Sequence, residues 1–581
     1  MQLSTQERLI ALLDDIYVAN GIELDTSAYA AELLALMRIP PSQPASGPPQ
    51  SIWSESDVVL ITYADSIRRP AKQREAPLKT LHDFIERYLS TSINTVHVLP
   101  FFPHSSDSGF SVIDFDVVDP ELGDWDDVEA LSAHYRVMAD LVINHGSAQS
   151  QWFSNYLEGR TPGAGYYLEA DPALDYQAVV RPRTSPLLRE VETSNGVRHV
   201  WCTFSHDQVD FNFRNPALLG EFVRIIRKYL DNGVRIFRLD AVAFIWKELG
   251  TRCINLHETH ALVRLLRLLL ESAEPDSVVV TETNIPNQEN LSYFGNANEA
   301  HWIYNFSLPP LLLYTLMAGD CTYLKRWMMS MPPAQVGTAY FNFLASHDGI
   351  GLRPTEGLLT EREIDSLVAM MENFGGRVSY RSLPGGASRP YEINISLIDA
   401  MRGTFEGVDD YAEDRFLCAH ALMFALEGVP GVYVHSFLAT GNDYEGVERF
   451  GENRAINRHK WDHDSLVAEL AADSQHARIL SRLSRLLQIR REQPAFHPNA
   501  TQFTLHLGDQ LFGFWRQSMQ RDQSIFAIAN ISSQPQQLDL SQINLIAAEN
   551  WFDLISGDAF PDHLQSLLLH PYQTLWISNS R

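Results

Sequence analysis

The sequence predicts an α/β protein built on a (β/α)8 TIM barrel, with two loop-rich insertions on one face and a C-terminal antiparallel β domain. Three observations predict it. Eight short apolar runs alternate with helical patterns between residues 58 and 436. Two long, aromatic stretches interrupt that rhythm, each just after the C-terminal end of a run. Beyond about residue 490 the pattern changes to short alternating runs, QLFGFWRQ, SIFAIANIS and QTLWIS.

The eight runs are VVLITY (58–63), NTVHVLP (94–100), VMADLVINH (137–145), VRIFRLD (234–240), SVVVTE (277–282), HWIYNF (301–306), AYFNFLASHD (339–348) and GVYVHS (431–436). They are nearly continuous in apolar character, as parallel strands buried on both faces require. FVRIIRKYLDNG and ALVRLLRLLLESA, between the runs, have helical periodicity, the first closing on Gly233 as a cap. The domains expected are a helical extension and linker over 1–54, the barrel over 55–145, 216–350 and 412–489, insertions over 146–215 and 351–411, and the β domain over 490–581. Within 1–54, two helical patterns give way to the Pro/Ser/Gly-rich arm IPPSQPASGPPQS (39–51). Barrel active sites lie at the C-terminal ends of the strands, where both insertions fall.

Composition narrows the function. With 581 residues, 45% of them hydrophobic, the chain can bury a large core and form several domains. A formal net charge of -27 opposes nucleic acid and anionic membrane as partners, and an anionic substrate would need a local cluster of arginines. Cys202, Cys253, Cys321 and Cys418 are widely spread and no CxxC occurs, which speaks against a zinc site and a disulfide framework. The N-terminal MQLSTQERLIALLDDIYVANG lacks the basic start and apolar core of a signal peptide, and no apolar run reaches membrane-spanning length. A cytoplasmic protein is expected; its oligomeric state is not legible.

Several runs end in chemically able residues. The third ends DLVINH (Asp140, Asn144, His145), the fourth FRLDA (Arg238, Asp240), the fifth TETN (Glu282) and the seventh SHDG (His347, Asp348). Singly, an Asp after a strand reads as the N-cap of the next helix. A carboxylate closing an apolar strand is costly unless it faces a polar cavity. Three on three strands, in this order, point to one cavity at the barrel mouth.

Those four segments resemble the conserved regions of the α-amylase superfamily, glycoside hydrolase family 13, and QVDFNF (208–213) is similar to its auxiliary region. Further stretches resemble the sucrose phosphorylase group: ITYAD (61–65), LPFFPHSSDSGF (99–110), LGDWDDVE (122–129), the RPR at 181–183, SLPPLLLYTL (307–316), HDGIG (347–351) and NRAINRH (453–459). The resemblance runs from about Asp57 to the C-terminus. It implies a retaining double displacement, with Asp240 as nucleophile, Glu282 as acid/base and Asp348 as transition-state stabiliser. Arg238 would keep Asp240 ionised. His145, Gln208 and His347 would bind the same sugar, with Phe110 packed on the ring. Asp107 and Arg454 match positions that grip the far side of a glucosyl unit.

In the resembled group the glucosyl acceptor is inorganic phosphate, giving α-glucose 1-phosphate. Arg181 and Arg183 on the first insertion and Arg389 on the second supply the charge an anion would need. Around Tyr391 the chain departs from sucrose phosphorylases: Arg389 and Glu392 stand where those enzymes carry an acid and a glutamine. That puts fructose in doubt and suits a small acidic acceptor such as D-glycerate, which an arginine can fork. TNIPNQENLSYFG (283–295), FNFLASHDGIGL (341–352), SRPYEIN and the N-terminal extension look most like glucosylglycerate phosphorylases. The expected reaction is phosphorolysis of 2-O-α-D-glucosyl-D-glycerate to α-glucose 1-phosphate and D-glycerate. The alternatives are a sucrose, sucrose 6'-phosphate or glucosylglycerol phosphorylase, a hydrolase, or a non-catalytic amylase-like sugar-binding subunit. The last would lack one of the three carboxylates. No metal and no organic cofactor are expected.

Overall fold

The computed structural model describes every residue except 1–2, 45–46, 48–49, 71–74, 383–387, 544, 546–549, 563 and 581. Parts of the arm expected over 39–51, of the second insertion and of the C-terminal domain therefore lie outside the described residues. All eight apolar runs are strands of one closed parallel barrel: β1 (Val59–Thr62), β2 (Thr95–Val98), β3 (Arg136–Val142), β4 (Val234–Asp240), β5 (Val278–Thr281), β6 (Trp302–Tyr304), β7 (Ala339–Asn342) and β8 (Val429–Tyr433). Each strand pairs with its sequence neighbours, and β8 returns to β1 through Val59 opposite Gly431.

Register explains how the barrel builds a polar layer at its mouth. Arg238 of β4 lies opposite Asp140 of β3 on one side and Val280 of β5 on the other. Side chains alternate across a strand, so Asp240 and Glu282, each two residues further on, share the inward face one layer nearer the C-terminal mouth. Below them the interior is aromatic: Trp302 stacks on Phe341 with centroids 5.9 Å apart. Gly431 makes room for that stack, since a Cβ there would lie 2.5 Å from Phe341 Cζ.

The extension over the first residues packs on the barrel. Helix α1 (Thr5–Ile16), closed by a Ser4/Glu7 capping box, lies against the barrel helix His257–Ala273. Helix α2 (Thr26–Leu36) lies against Pro216–Asp231, where Arg38 forks Asp231 at 2.9 and 2.8 Å. Trp53 then meets Trp302 edge-on at 5.8 Å.

At the other end, a six-stranded antiparallel sheet has two apolar faces, as period-2 alternation allows. Phe512, Phe514, Ala527 and Trp576 join the barrel core, whereas Leu511, Phe526, Ile528 and Ile577 form a second cluster. Arg490, fully buried on the helix Gln475–Arg491, closes the barrel seam. Its guanidinium donates to Phe424 O at 2.8 Å, to Gly428 O at 3.3 Å and to Glu55 O. One side chain thus ties the segment before β8 to the segment before β1. Among the described residues, no helix is long and apolar enough to cross a membrane.

Candidate active site

A pocket opens at the C-terminal end of the barrel, and Asp240, Glu282 and Asp348 all line it. Asp240 closes β4 and is 7% exposed. Ala241, next in the chain, takes a left-handed conformation at φ 51°, which is uncommon for a residue with a Cβ. That turn aims the Ala241 N–H at Glu282, whose Oε2 accepts at 3.0 Å. The backbone that follows one carboxylate therefore fixes the other.

Arg238 lies beneath. One of its terminal nitrogens donates to Asp240 Oδ1 at 2.7 Å and also to Asp140, which is held from its other side by His97 Nε2 at 2.8 Å. Burial opposes ionisation at all three pocket carboxyls. At Asp348 it is outweighed by Arg454, Arg458 and Arg238, and the carboxyl sits below its ordinary range. At Glu282 burial prevails over Arg238, and the charge of Asp348 adds to it, so the carboxyl is raised. Asp240 is also pushed upward, by burial first, against Arg238 and with the charges of Glu282, Asp140 and Asp348. Asp240 and Glu282 thus titrate as a pair. The direct contact with Arg238 opposes that rise at Asp240 and favours its charged form.

The far wall carries Arg454, Phe110, His347, His145, Gln208 and Asp107. Arg454 touches Asp348 at 2.6 Å. Phe110 stacks on His347 at 4.8 Å and 7°, and burial holds His347 well below the ordinary histidine range, hence neutral. Burial likewise lowers His145, whose Nε2 lies 3.0 Å from Phe110 O. Gln208 Nε2 reaches Asp107 Oδ2, Phe110 O and His145 Nε2, each at 3.2 Å. Gln208 is brought there because its short strand pairs with His145–Ser147. Asp107, Ser108 and Gly109 all have positive φ (51°, 49° and 110°), and a Cβ on Gly109 would lie 2.7 Å from Pro100 O. The loop bearing Asp107 is pressed onto the end of β2.

Oxygens that could suit a hard cation do gather near Asn144. Lys247 Nζ occupies them, 2.9 Å from Asn144 Oδ1 and 2.8 Å from Asp210 Oδ2. Elsewhere, on outer helices, His82, Glu86 and His134 bring one potential ligand atom each within 4.8 Å of the others.

Comparison with known proteins agrees with this geometry. Residues 81–353 match the α-amylase catalytic domain. The chain is 41% identical to a glucosylglycerate phosphorylase of Spirochaeta thermophila over 535 residues, covering 90% of both proteins. It is 39% identical to that of Escherichia coli, covering 90% of this chain and 92% of the relative.

The chain belongs to glycoside hydrolase family 13.

Within that family it is also 30% identical to a sucrose phosphorylase of Agrobacterium vitis, over 76% of this chain and 89% of the relative. Among solved structures, sucrose 6F-phosphate phosphorylase from Thermoanaerobacter thermosaccharolyticum superposes with a TM-score of 0.72 at 25% identity, covering 89% of this chain and 99% of that one.

Not every residue expected at this family 13 site lines it. Arg183 does, with its guanidinium 5.4 Å from the ring centre of Tyr391, itself a wall residue. Arg181 is half-buried beside the pocket and is not on its wall. Arg389 pairs with Glu361 on the neighbouring helix and faces away. Glu392 is buried behind the wall, forking Arg454 at 2.9 and 2.6 Å and accepting from Gly349 N at 3.0 Å. The reason is a β-bulge: Ser379 pairs with Glu392 and Tyr380 with Pro390, so Tyr391 is the extra residue and the alternation shifts across it. Among the wall residues not singled out from the sequence are Asn284 and Arg353. Asn284 follows the TET segment and was legible there; Arg353 sits in an irregular loop where no periodicity marks an inward side chain.

Proposed function

We propose that this protein is a retaining glycoside phosphorylase that converts 2-O-α-D-glucosyl-D-glycerate and phosphate to α-D-glucose 1-phosphate and D-glycerate. In the first displacement an Asp240 oxygen attacks the anomeric carbon. The bond to the glycerate oxygen breaks, and that oxygen takes the proton of Glu282. A β-glucosyl ester of Asp240 results. In the second, a phosphate oxygen attacks the same carbon, the ester bond breaks, and Glu282 recovers a proton from the phosphate. Asp348 and Arg454 grip the ring, with Asp107, Gln208, His145 and His347 on its other hydroxyls and Phe110 against its apolar face. Arg183 attracts the incoming phosphate.

The observation that carries the reading is a pocket lined by Asp240, Glu282 and Asp348 together with Arg183, Arg353 and Arg454, on a chain aligned over nine-tenths of its length with a glucosylglycerate phosphorylase. Arg183 has no carboxylate partner among the described residues and lies instead over the Tyr391 and Phe204 rings. All four cysteines are free and buried, which suits a reducing compartment and supports a cytoplasmic setting.

The test supplies α-glucose 1-phosphate with D-glycerate, glycerol, fructose, fructose 6-phosphate or glucose and measures phosphate release. Release is expected to be strongest with D-glycerate. Preference for fructose would overturn the acceptor, and free glucose formed equally fast without acceptor would overturn phosphorolysis.

A further inference from the structure

We propose that Arg353 is the receptor for the carboxylate of the glucosyl acceptor, with the Asn284 amide beside it for the acceptor's hydroxyl. The assignment rests on the phosphorylase reading above and deepens it, because it names what makes the acceptor acidic.

Arg353 opens the short turn Arg353–Thr355, five residues beyond Asp348 in the chain. It is 5% exposed and lines the pocket. Its Nε is buried without a hydrogen-bond partner, and among the described residues its side chain makes no ion pair. Unlike Arg183, the neighbouring Arg381, Arg389, Arg454 and Arg238 are neutralised. Arg381 pairs with Glu356 at 2.6 Å, Arg389 with Glu361, Arg454 with Asp348 and Glu392, and Arg238 with Asp140 and Asp240. A buried guanidinium left without an anion is costly, and an anion arriving in the pocket removes that cost.

The two unneutralised wall arginines are not equivalent. Arg183 belongs to the first insertion, is partly exposed, and lies flat over two rings. It can follow a phosphate that enters and leaves. Arg353 is enclosed and offers a planar fork, which matches a planar carboxylate. Asn284 lies against the chain just before Arg353, since a Cβ on Gly351 would sit 2.7 Å from its Nδ2. Its Oδ1 is buried and unpartnered. With its 2-oxygen at the anomeric carbon, glycerate can offer its carboxylate to Arg353 and its 3-hydroxyl to Asn284; glycerol satisfies only the amide.

The test compares wild type, Arg353→Gln and Arg353→Lys with α-glucose 1-phosphate as donor, and with glycerate or glycerol as acceptor in the same preparations. Exchange of labelled phosphate into α-glucose 1-phosphate, without acceptor, is measured alongside. For Arg353→Gln, kcat/KM with glycerate is expected to fall by about 100-fold more than with glycerol or than the phosphate exchange rate. Arg353→Lys should restore only part of the difference. Equal losses for glycerate and glycerol, or a larger loss in phosphate exchange, would overturn the assignment. Wild-type protein that does not use glycerate at all would sink the parent reading, visibly before any variant is made.

Discussion

Glu392 grips Arg454 with two parallel hydrogen bonds of 2.9 and 2.6 Å, and Arg454 in turn touches Asp348 at 2.6 Å. A residue expected to choose the acceptor thus supports Arg454, the arginine proposed to grip the glucosyl unit. Replacement of Glu392 by Gln should lower kcat/KM for every donor by about 10- to 100-fold, as loss of a supporting partner typically does. The ratio of glycerate to glycerol transfer should stay within about threefold of wild type. Steady-state kinetics with both acceptors decide the matter; a change in acceptor ratio would return Glu392 to the acceptor site.

Asp240→Asn should remove at least about 10⁴-fold of the activity in both directions, since no ester can form. The same change should stabilise the empty protein at pH 7. A carboxyl whose folded pKa lies above its unfolded value stabilises only below the unfolded value and loses that contribution as pH rises through the folded one. At neutral pH the charged group therefore works against folding. A rise in Tm of about 1 °C or more is expected at pH 7, shrinking toward pH 4. Calorimetry at both values checks it, and a lower Tm at pH 7 would contradict it.

Glu282 is raised chiefly by burial, so it keeps its proton where an ordinary glutamate is ionised. The alkaline limb of kcat/KM for glucosylglycerate should accordingly lie above the usual carboxylate range, with activity falling as pH rises through it. In Glu282→Gln that limb should vanish when α-glucosyl fluoride, whose leaving group needs little protonation, is the donor. The variant should retain far more activity on the fluoride than on the glucosylglycerate. A persistent limb would assign the proton to another group.

Gly431→Ala tests packing and not chemistry. Its Cβ would meet Phe341 Cζ at 2.5 Å, where the ring is already stacked on Trp302. Overpacking of this kind costs about 1–3 kcal/mol. Denaturant unfolding should show that loss, while the acceptor ratio of the surviving protein stays the same.

The barrel was readable because its strands are short apolar runs separated by helical patterns, and all eight runs are strands of it. That Asp240, Glu282 and Asp348 would share one pocket was partly readable: Asp240 ends β4 and Glu282 directly follows β5, whereas Asp348 is brought there by the loop beyond β7. Loop residues obey no period. The bulge at Tyr391 turned Arg389 outward and hid Glu392, and no spacing could have announced it. Arg353 looked like any loop charge, and only its burial beside neutralised neighbours marks it. Lys247 was invisible as the partner of Asn144 because the two are 103 positions apart.

Arg490 fastens the start of the first barrel strand to the start of the last, yet it comes about sixty residues after the last strand begins. A chain emerging from the ribosome can lay down all eight strands and still lack the clasp that joins the two ends of the cylinder. Until that helix has been synthesised, the pairing of the first strand with the last lacks the side chain that braces it from outside.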